Sequence, residues 1–204
     1  MTASDATANR AAAAGRRYDV VSIWLHWIIA ALVVVQLCLG WYMNEVLPEH
    51  SPAKPQVLTI HISVGLTILI LVLIRIGVRL THPAPPLPPE LPLWERILAR
   101  ATHVLFYLLL LALPLTGWTL VSLGTRPIHF WGLPWPHLPG VHAVFGSPAP
   151  RPVRERLAHV QVYILIWIVL LNLALHVVGA LWLQFGKSPV LWRMTWLKPP
   201  RAAA

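Results

Sequence analysis

The stretch VVSIWLHWIIAALVVVQLCLGWYMN at residues 20–44 runs for 25 residues between Asp19 and Glu45 without an Asp, Glu, Lys or Arg. A helix needs about 20 apolar residues to cross a hydrocarbon core about 30 Å thick, so this segment is long enough to span a bilayer. The pattern repeats at residues 55–74, 101–125 and 157–186, in charge-free windows of 20, 25 and 30 residues. Four transmembrane helices are predicted, near Val20–Met43, Val57–Leu80, Ala101–Leu123 and Leu157–Phe185. Without water to satisfy peptide groups, continuous apolar segments of this length must be helical, and none alternates as barrel strands do. The expected fold class is all-α, a four-helix transmembrane bundle.

Composition agrees. Of 204 residues 57% are hydrophobic and 11% charged, against about 25% charged in soluble domains, which argues against a water-soluble fold. The formal charge of +9 would suggest nucleic acid in a polar chain; here the apolar windows outrank it and no nucleic-acid partner is expected. The single cysteine, Cys38, excludes an intrachain disulfide, a cysteine-ligated iron–sulfur cluster and a CxxCH haem attachment. Residues 1–17 form a small, polar N-terminal arm, 18–196 the membrane domain and 197–204 a C-terminal tail. The first apolar segment is longer than a signal-peptide core and lacks its AxA-like end, so it is expected to remain in the mature protein. Eleven Lys and Arg fall on the side of the arm, the second connection and the tail, and five on the other. The positive-inside rule then places both termini in the cytoplasm.

The connections differ in character. LTHPAPPLPPELP at residues 80–92 is too proline-rich for a helix and reads as a semi-rigid inner spacer. GTRPIHFWGLPWPHLPGVHAVFGSPAPRP at residues 124–152 mixes Trp, Pro, Gly and three histidines, which suits an aromatic-rich lid at the membrane surface.

Ionisable residues inside a bilayer are expensive and usually face a bundle interior, so each is a functional candidate. His26 lies six residues beyond Val20, about 9 Å deep on an inward-to-outward helix at 1.5 Å per residue. His61 follows Lys54 by seven residues on the returning helix and is outer. On the fourth helix His159 follows Arg156 by three residues, and His176 lies 17 further on, about 25 Å toward the inner half. Each half of the membrane therefore holds two histidines on different helices. Cofactor sites in bundles are built from side chains on facing helices, and imidazole is a common haem ligand. Two bis-histidine b-type haems fit this arrangement. A di-metal centre does not, because the helix interiors lack Asp and Glu. Gly40, Gly65, Gly117 and Gly179 are candidates for close approach of a flat macrocycle. Arg75 and Arg79 are candidates to pair with haem propionates.

These residues resemble the bacterial cytochrome b561 family of integral membrane di-haem cytochromes. The likeness is carried by RYDVVSIWLHW at 17–27, LTIHISVGLTILILVLIRIGVRL at 58–80, THVLFYLLLLALPLTGW at 102–118, LALHVVGALW at 173–182 and VLWRM at 190–194, in this order. It covers nearly the whole chain. The resemblance implies that His26 and His176 ligate the inner haem and His61 and His159 the outer one, in a bacterial inner (plasma) membrane. It implies electron shuttling across or into the membrane, typically with quinone. His103, in the third-helix pattern with Tyr107, Pro114 and Gly117, is not an axial ligand by resemblance; a propionate or a quinone oxygen is its expected partner.

Two departures stand out. The family's fourth-helix ligands are usually 14 residues apart, whereas His159 and His176 are 17 apart, which rotates His159 by roughly 50–60° and calls for a bulge or a different tilt. A His-His pair that often follows the last ligand is replaced by Trp182, Leu183 and Gln184. His129, His137 and His142 in the outer connection remain open as a surface metal site or as a substitute for His159. The expected function is a membrane electron carrier with two haems b, relaying electrons between a donor and quinone or a redox partner. The alternative is a membrane-anchor cytochrome b subunit of a larger dehydrogenase, reductase or hydrogenase. A haem-free transporter would need a polar pathway at the midplane, where the chain offers little beyond histidine.

Overall fold

The computed structural model describes residues 17–88, 90–186 and 190–196. Most of the arm, with Arg10 and Arg16, and the tail 197–204 lie outside the described residues. Four helical spans are long and apolar enough to cross a membrane: Val20–Val46, Lys54–Thr81, Leu93–Ser122 and Arg151–Phe185. The first is α1 (Val20–Trp41) continued by a π-helical turn, Tyr42–Val46. The next two are α2 (Lys54–Thr81) and α3 (Leu93–Ser122). After a short α4 (Val141–Phe145), the last span joins α5 (Arg151–His159), a π-helical segment Val160–Leu165 and α6 (Ile166–Phe185). Large apolar side chains such as Val34, Leu73, Leu108 and Leu171 stand exposed along these spans, as a lipid environment requires.

The helix ends depart from the charge-free windows. Helix α3 begins at Leu93 rather than Ala101, and the last span at Arg151 rather than Leu157. Charged residues at a membrane interface do not break a helix; their stems lie along it while the heads reach water. Pro152 falls in the first turn of α5, where a missing N–H costs little.

The third connection, between α3 and α4, carries a short β-hairpin. Strands β1 (Ile128–Phe130) and β2 (Leu133–Trp135) pair antiparallel, with His129 opposite Pro134. The two turn residues, Trp131 at φ 50° and Gly132 at φ 87°, have the positive φ pair of a type I′ hairpin. A tryptophan in that conformation costs roughly 1–2 kcal/mol, and helix α2 supplies the compensation. Ser63 Oγ accepts the Trp131 N–H at 3.0 Å, and the Trp131 indole N–H donates to Thr67 Oγ1 at 3.0 Å. Ser63 and Thr67 are one turn apart, so a single face of α2 holds the hairpin.

The chain divides into two compact units. The first takes the described residues of Met1–His26, Arg75–Phe106 and Leu170–Ala204; the second takes Trp27–Ile74 and Tyr107–Val169. In the first, Asp19 Oδ1 accepts the Ser22 N–H at 2.8 Å and caps α1. The Tyr18 N–H donates to Arg193 O, and Arg193 Nη1 donates to Pro86 O. In the second, Leu123, Val141 and Ala149 form a buried cluster with Leu138, Val153 and Leu157 against it.

Two consequences are measurable. Ser63→Ala leaves the Trp131 N–H without its acceptor and is expected to destabilise the protein by about 1–2 kcal/mol. A thermal midpoint in detergent equal to that of wild type would contradict the pinning of the hairpin. Asp19→Ala is expected to cost about 1 kcal/mol at neutral pH through loss of the cap. Burial alone would raise the Asp19 carboxyl, but the hydrogen bonds with Ser22 and the charge of His82 bring it below its ordinary 3.8. The cap's contribution is therefore present above that ordinary value and is lost as pH falls through the lower folded value. A wild-type advantage that stays constant down to pH 2 would refute this.

Candidate functional site

His26, His61, His103, His159 and His176 sit on helices. In the first unit, the rings of His26 on α1 and His176 on α6 meet edge-on, with centroids 6.2 Å apart and planes at 61°. Two further rings from α3 meet His176 edge-on: His103 at 5.2 Å and Phe106 at 5.2 Å. The helices are locked one turn away. Asn172, 2% exposed, donates from Nδ2 to Thr102 O at 3.2 Å, next to His103. Arg75 Nη1 donates to Ser22 O at 3.1 Å, the carbonyl one turn before His26. Arg79 is exposed in the last turn of α2. His103 donates from Nδ1 to Ala99 O, which leaves its Nε2 as an acceptor.

The second unit holds His61, half-buried on α2. Gln36 of α1 donates from Nε2 to His61 Nε2 at 3.0 Å. That bond assigns the ring proton to Nδ1, and His61 Nδ1 is buried without a hydrogen-bond partner. The glycines explain how these groups fit. A Cβ on Gly65 would stand 3.1 Å from Gln36 Nε2, one on Gly40 3.5 Å from His61 Cε1, and one on Gly117 3.0 Å from Gln161 Nε2. Gln36 Oε1 and Gln161 Oε1 are also buried without partners. A Cβ on Gly179 would meet nothing within 4 Å.

His159 lies exposed at the end of α5, with its ring 5.0 Å from Tyr163. Among the described residues no ring contact joins it to His61. The 17-residue step from His159 to His176 is not uninterrupted α-helix, because the π-helical segment Val160–Leu165 begins directly after His159. A π turn takes up extra residues and is a frequent feature of functional sites.

The two units can be tested for fit to a haem. Two imidazoles bound on opposite sides of one metal, with bonds of about 2.0–2.1 Å and ring centres about 1.1 Å further, have centroids about 6.3 Å apart. The 6.2 Å between His26 and His176 matches that spacing. Around His61 the nitrogen that could ligate is Nε2, which holds the ring lone pair, and iron there would take the place of the Gln36 amide N–H. Sequence reasoning passed over Gln36 and Gln161 as pocket residues. An uncharged amide in an apolar run is itself a costly choice, and that was the available signal.

Arg126, Arg154 and His129 line a cleft of about 540 Å³ in the second unit, with Thr59, Ile62 and Gly124 among its walls. Its volume lies within the usual range for small-molecule pockets. The two arginines give it a positive lining.

Comparison with known proteins places these features in a family. The chain is 32% identical over 134 residues to "Cytochrome b561 homolog 2" of Escherichia coli (strain K12), covering 65% of this chain and 69% of that one. It is 32% identical over 124 residues to "Probable superoxide oxidase CybB" of Yersinia pestis, covering 60% and 68%. It is 26% identical over 120 residues to "Cytochrome b561 homolog 1" of Escherichia coli (strain K12), covering 57% and 65%. The family profile described as "Prokaryotic cytochrome b561" matches residues 17–196, nearly the whole described chain, and that stretch contains the four helices of membrane-crossing length. The chain is a multi-pass membrane protein that belongs to the prokaryotic cytochrome b561 family.

Proposed function

We propose that this cytochrome holds two b-type haems and passes electrons between a donor and quinone or a redox partner. His26 and His176 hold one haem in the first unit; His61 and His159 hold the other in the second. The observation that carries the reading is the 6.2 Å separation of the His26 and His176 ring centroids. Haem supplies a one-electron carrier, and ligation by two histidines leaves no open iron position for oxygen.

The remaining residues have assignable tasks. Arg75 is held by Ser22 O beside the His26 turn, and with Arg79 it offers a guanidinium to the propionates. His103 packs its edge on His176 and fixes the orientation of that ring. Its Nε2 lone pair suits a hydroxyl donor such as a quinol. Gly65 keeps α2 free of a Cβ where the Gln36 amide and His61 meet.

A second reading concerns the donor. One relative is named a probable superoxide oxidase, and the cleft lined by Arg126 and Arg154 has the charge to attract a small anion. On this reading two superoxide anions each give up one electron and leave as dioxygen, and a quinone takes both electrons and two protons to become a quinol. Arg126→Ala with Arg154→Ala should then lower the rate of superoxide-dependent quinone reduction at least tenfold and flatten its dependence on ionic strength, while quinol-dependent reduction of the protein is unchanged. An unaltered superoxide rate in the double variant would dismiss this donor.

Haem content tests the main reading. Acid-acetone extraction should release two haems per chain. His26→Ala or His176→Ala should remove one low-spin haem and spare the other, and His61→Ala should remove the other. One haem per chain in the wild-type protein would refute the two-centre reading.

The fourth ligand has its own test. His159→Ala should leave one low-spin haem, whereas His137→Ala and His142→Ala should each retain two. Two low-spin haems in His159→Ala, with one lost in either loop variant, would transfer the ligand to the outer connection.

A further inference from the structure

We propose that His137 and His142 form a two-imidazole site for a divalent transition-metal ion, separate from the haem ligands. Their ring centroids are 5.0 Å apart with planes at 44°. Two imidazoles on one tetrahedral metal, with bonds of about 2.0–2.1 Å, have ring centres about 5.2 Å apart. The His26–His176 and His137–His142 pairs therefore differ in spacing. The His26–His176 pair has the spacing of ligands on opposite sides of a metal, and the loop pair has the spacing of neighbouring ligands.

The hydrogen bonds select the ligating atoms. His142 donates from Nε2 to Gly124 O at 3.2 Å, so its Nδ1 carries the lone pair. A metal-bound histidine commonly donates its second ring N–H to a backbone carbonyl in this way, which fixes the tautomer and the ring orientation. His137 Nδ1 is buried and has no hydrogen-bond partner. It has no protein group to satisfy it and is available as the second ligand.

The framework under the pair is rigid. The Leu138 N–H, next to His137, donates to Ser122 Oγ at 2.8 Å, and Ser122 is fully buried. Val141, next to His142, is 6% exposed within the cluster of Leu123 and Ala149. Both ligands are thus carried by backbone anchored to the end of α3, as a preorganised site needs. Among the described residues no group of three or more His, Cys, Asp or Glu side chains is placed to hold a metal. Water completes the coordination, and the ion exchanges. Neutral imidazoles favour zinc, copper and nickel over the hard, oxygen-seeking magnesium and calcium. A bound ion would cross-link the two ends of the 137–142 segment.

The test uses the full-length, haem-loaded protein in detergent, purified without a polyhistidine tag. Equilibrium dialysis against Zn2+ should give one ion per chain that Mg2+ does not displace. His137→Ala and His142→Ala should each weaken binding at least about tenfold, since losing a ligand costs no less than losing the partner that orients it, and His50→Ala, on an exposed turn, should not. Cu2+ loaded at one equivalent should show electron paramagnetic resonance couplings from two imidazole nitrogens. That spectrum comes from the wild-type protein, so it decides the matter even where a variant fails to fold. Coupling to fewer than two imidazole nitrogens, Zn2+ affinity unchanged in a double His137→Ala, His142→Ala variant, or the absence of a bound ion in wild type at dialysis equilibrium would each overturn the proposal. Haem spectra recorded on the same samples separate its failure from failure of the haem reading.

Discussion

The organising constraint is the backbone's need for hydrogen bonds where no water can supply them. In hydrocarbon an unpaired peptide group costs several kcal/mol, so each apolar stretch closes its own bonds as a helix. The same accounting explains where irregular backbone is found. The β-hairpin and α4 lie in the connection between Ser122 and Arg151, with Ser63, Thr67 and Ser122 as acceptors for groups that the hairpin and its continuation leave open. The π-helical segments, Tyr42–Val46 and Val160–Leu165, begin at helix junctions.

Polar side chains inside the spans obey the same accounting and mark the candidate site. Many hydroxyls on the helices donate to a carbonyl of the preceding turn, as Thr59, Thr67, Thr102 and Thr116 do. These are self-contained. Gln36, His61 and Gln161 are different, because each keeps a buried polar atom without a partner. In the first unit the rings of His26, His103 and His176 are grouped with Phe106, an arrangement of flat groups against a ligating pair.

Legibility in the sequence followed locality. The four spans were visible because charge is excluded from a bilayer interior and the exclusion is written residue by residue. Their ends were not, since Glu95, Arg96 and Arg100 are good helix residues that merely sit in a wetter place. The hairpin was hidden for the opposite reason. Trp131 is a poor turn residue by itself, and its conformation depends on Ser63 and Thr67, more than 60 positions away. Within the site, counting residues from the charged borders was enough to bring His26 and His176 together. It did not foresee that Gln36 would engage His61, because that contact depends on the rotation of two helices, whereas the long spacing on the last span called for a bulge or a different tilt and a π-helical segment lies there.

The division into two units bears on the order of synthesis. The second unit uses nothing beyond Val169, whereas the first joins residues before His26 to residues after Leu170. Its locking contacts include Asn172 to Thr102, Tyr18 to Arg193 and Arg193 to Pro86. A chain emerging from the ribosome can therefore complete the neighbourhood of His61 while His26 still waits for its partner. Domains fold in the order their parts are made; both units draw on the last span, Arg151–Phe185, and the first needs the half of it that is made latest.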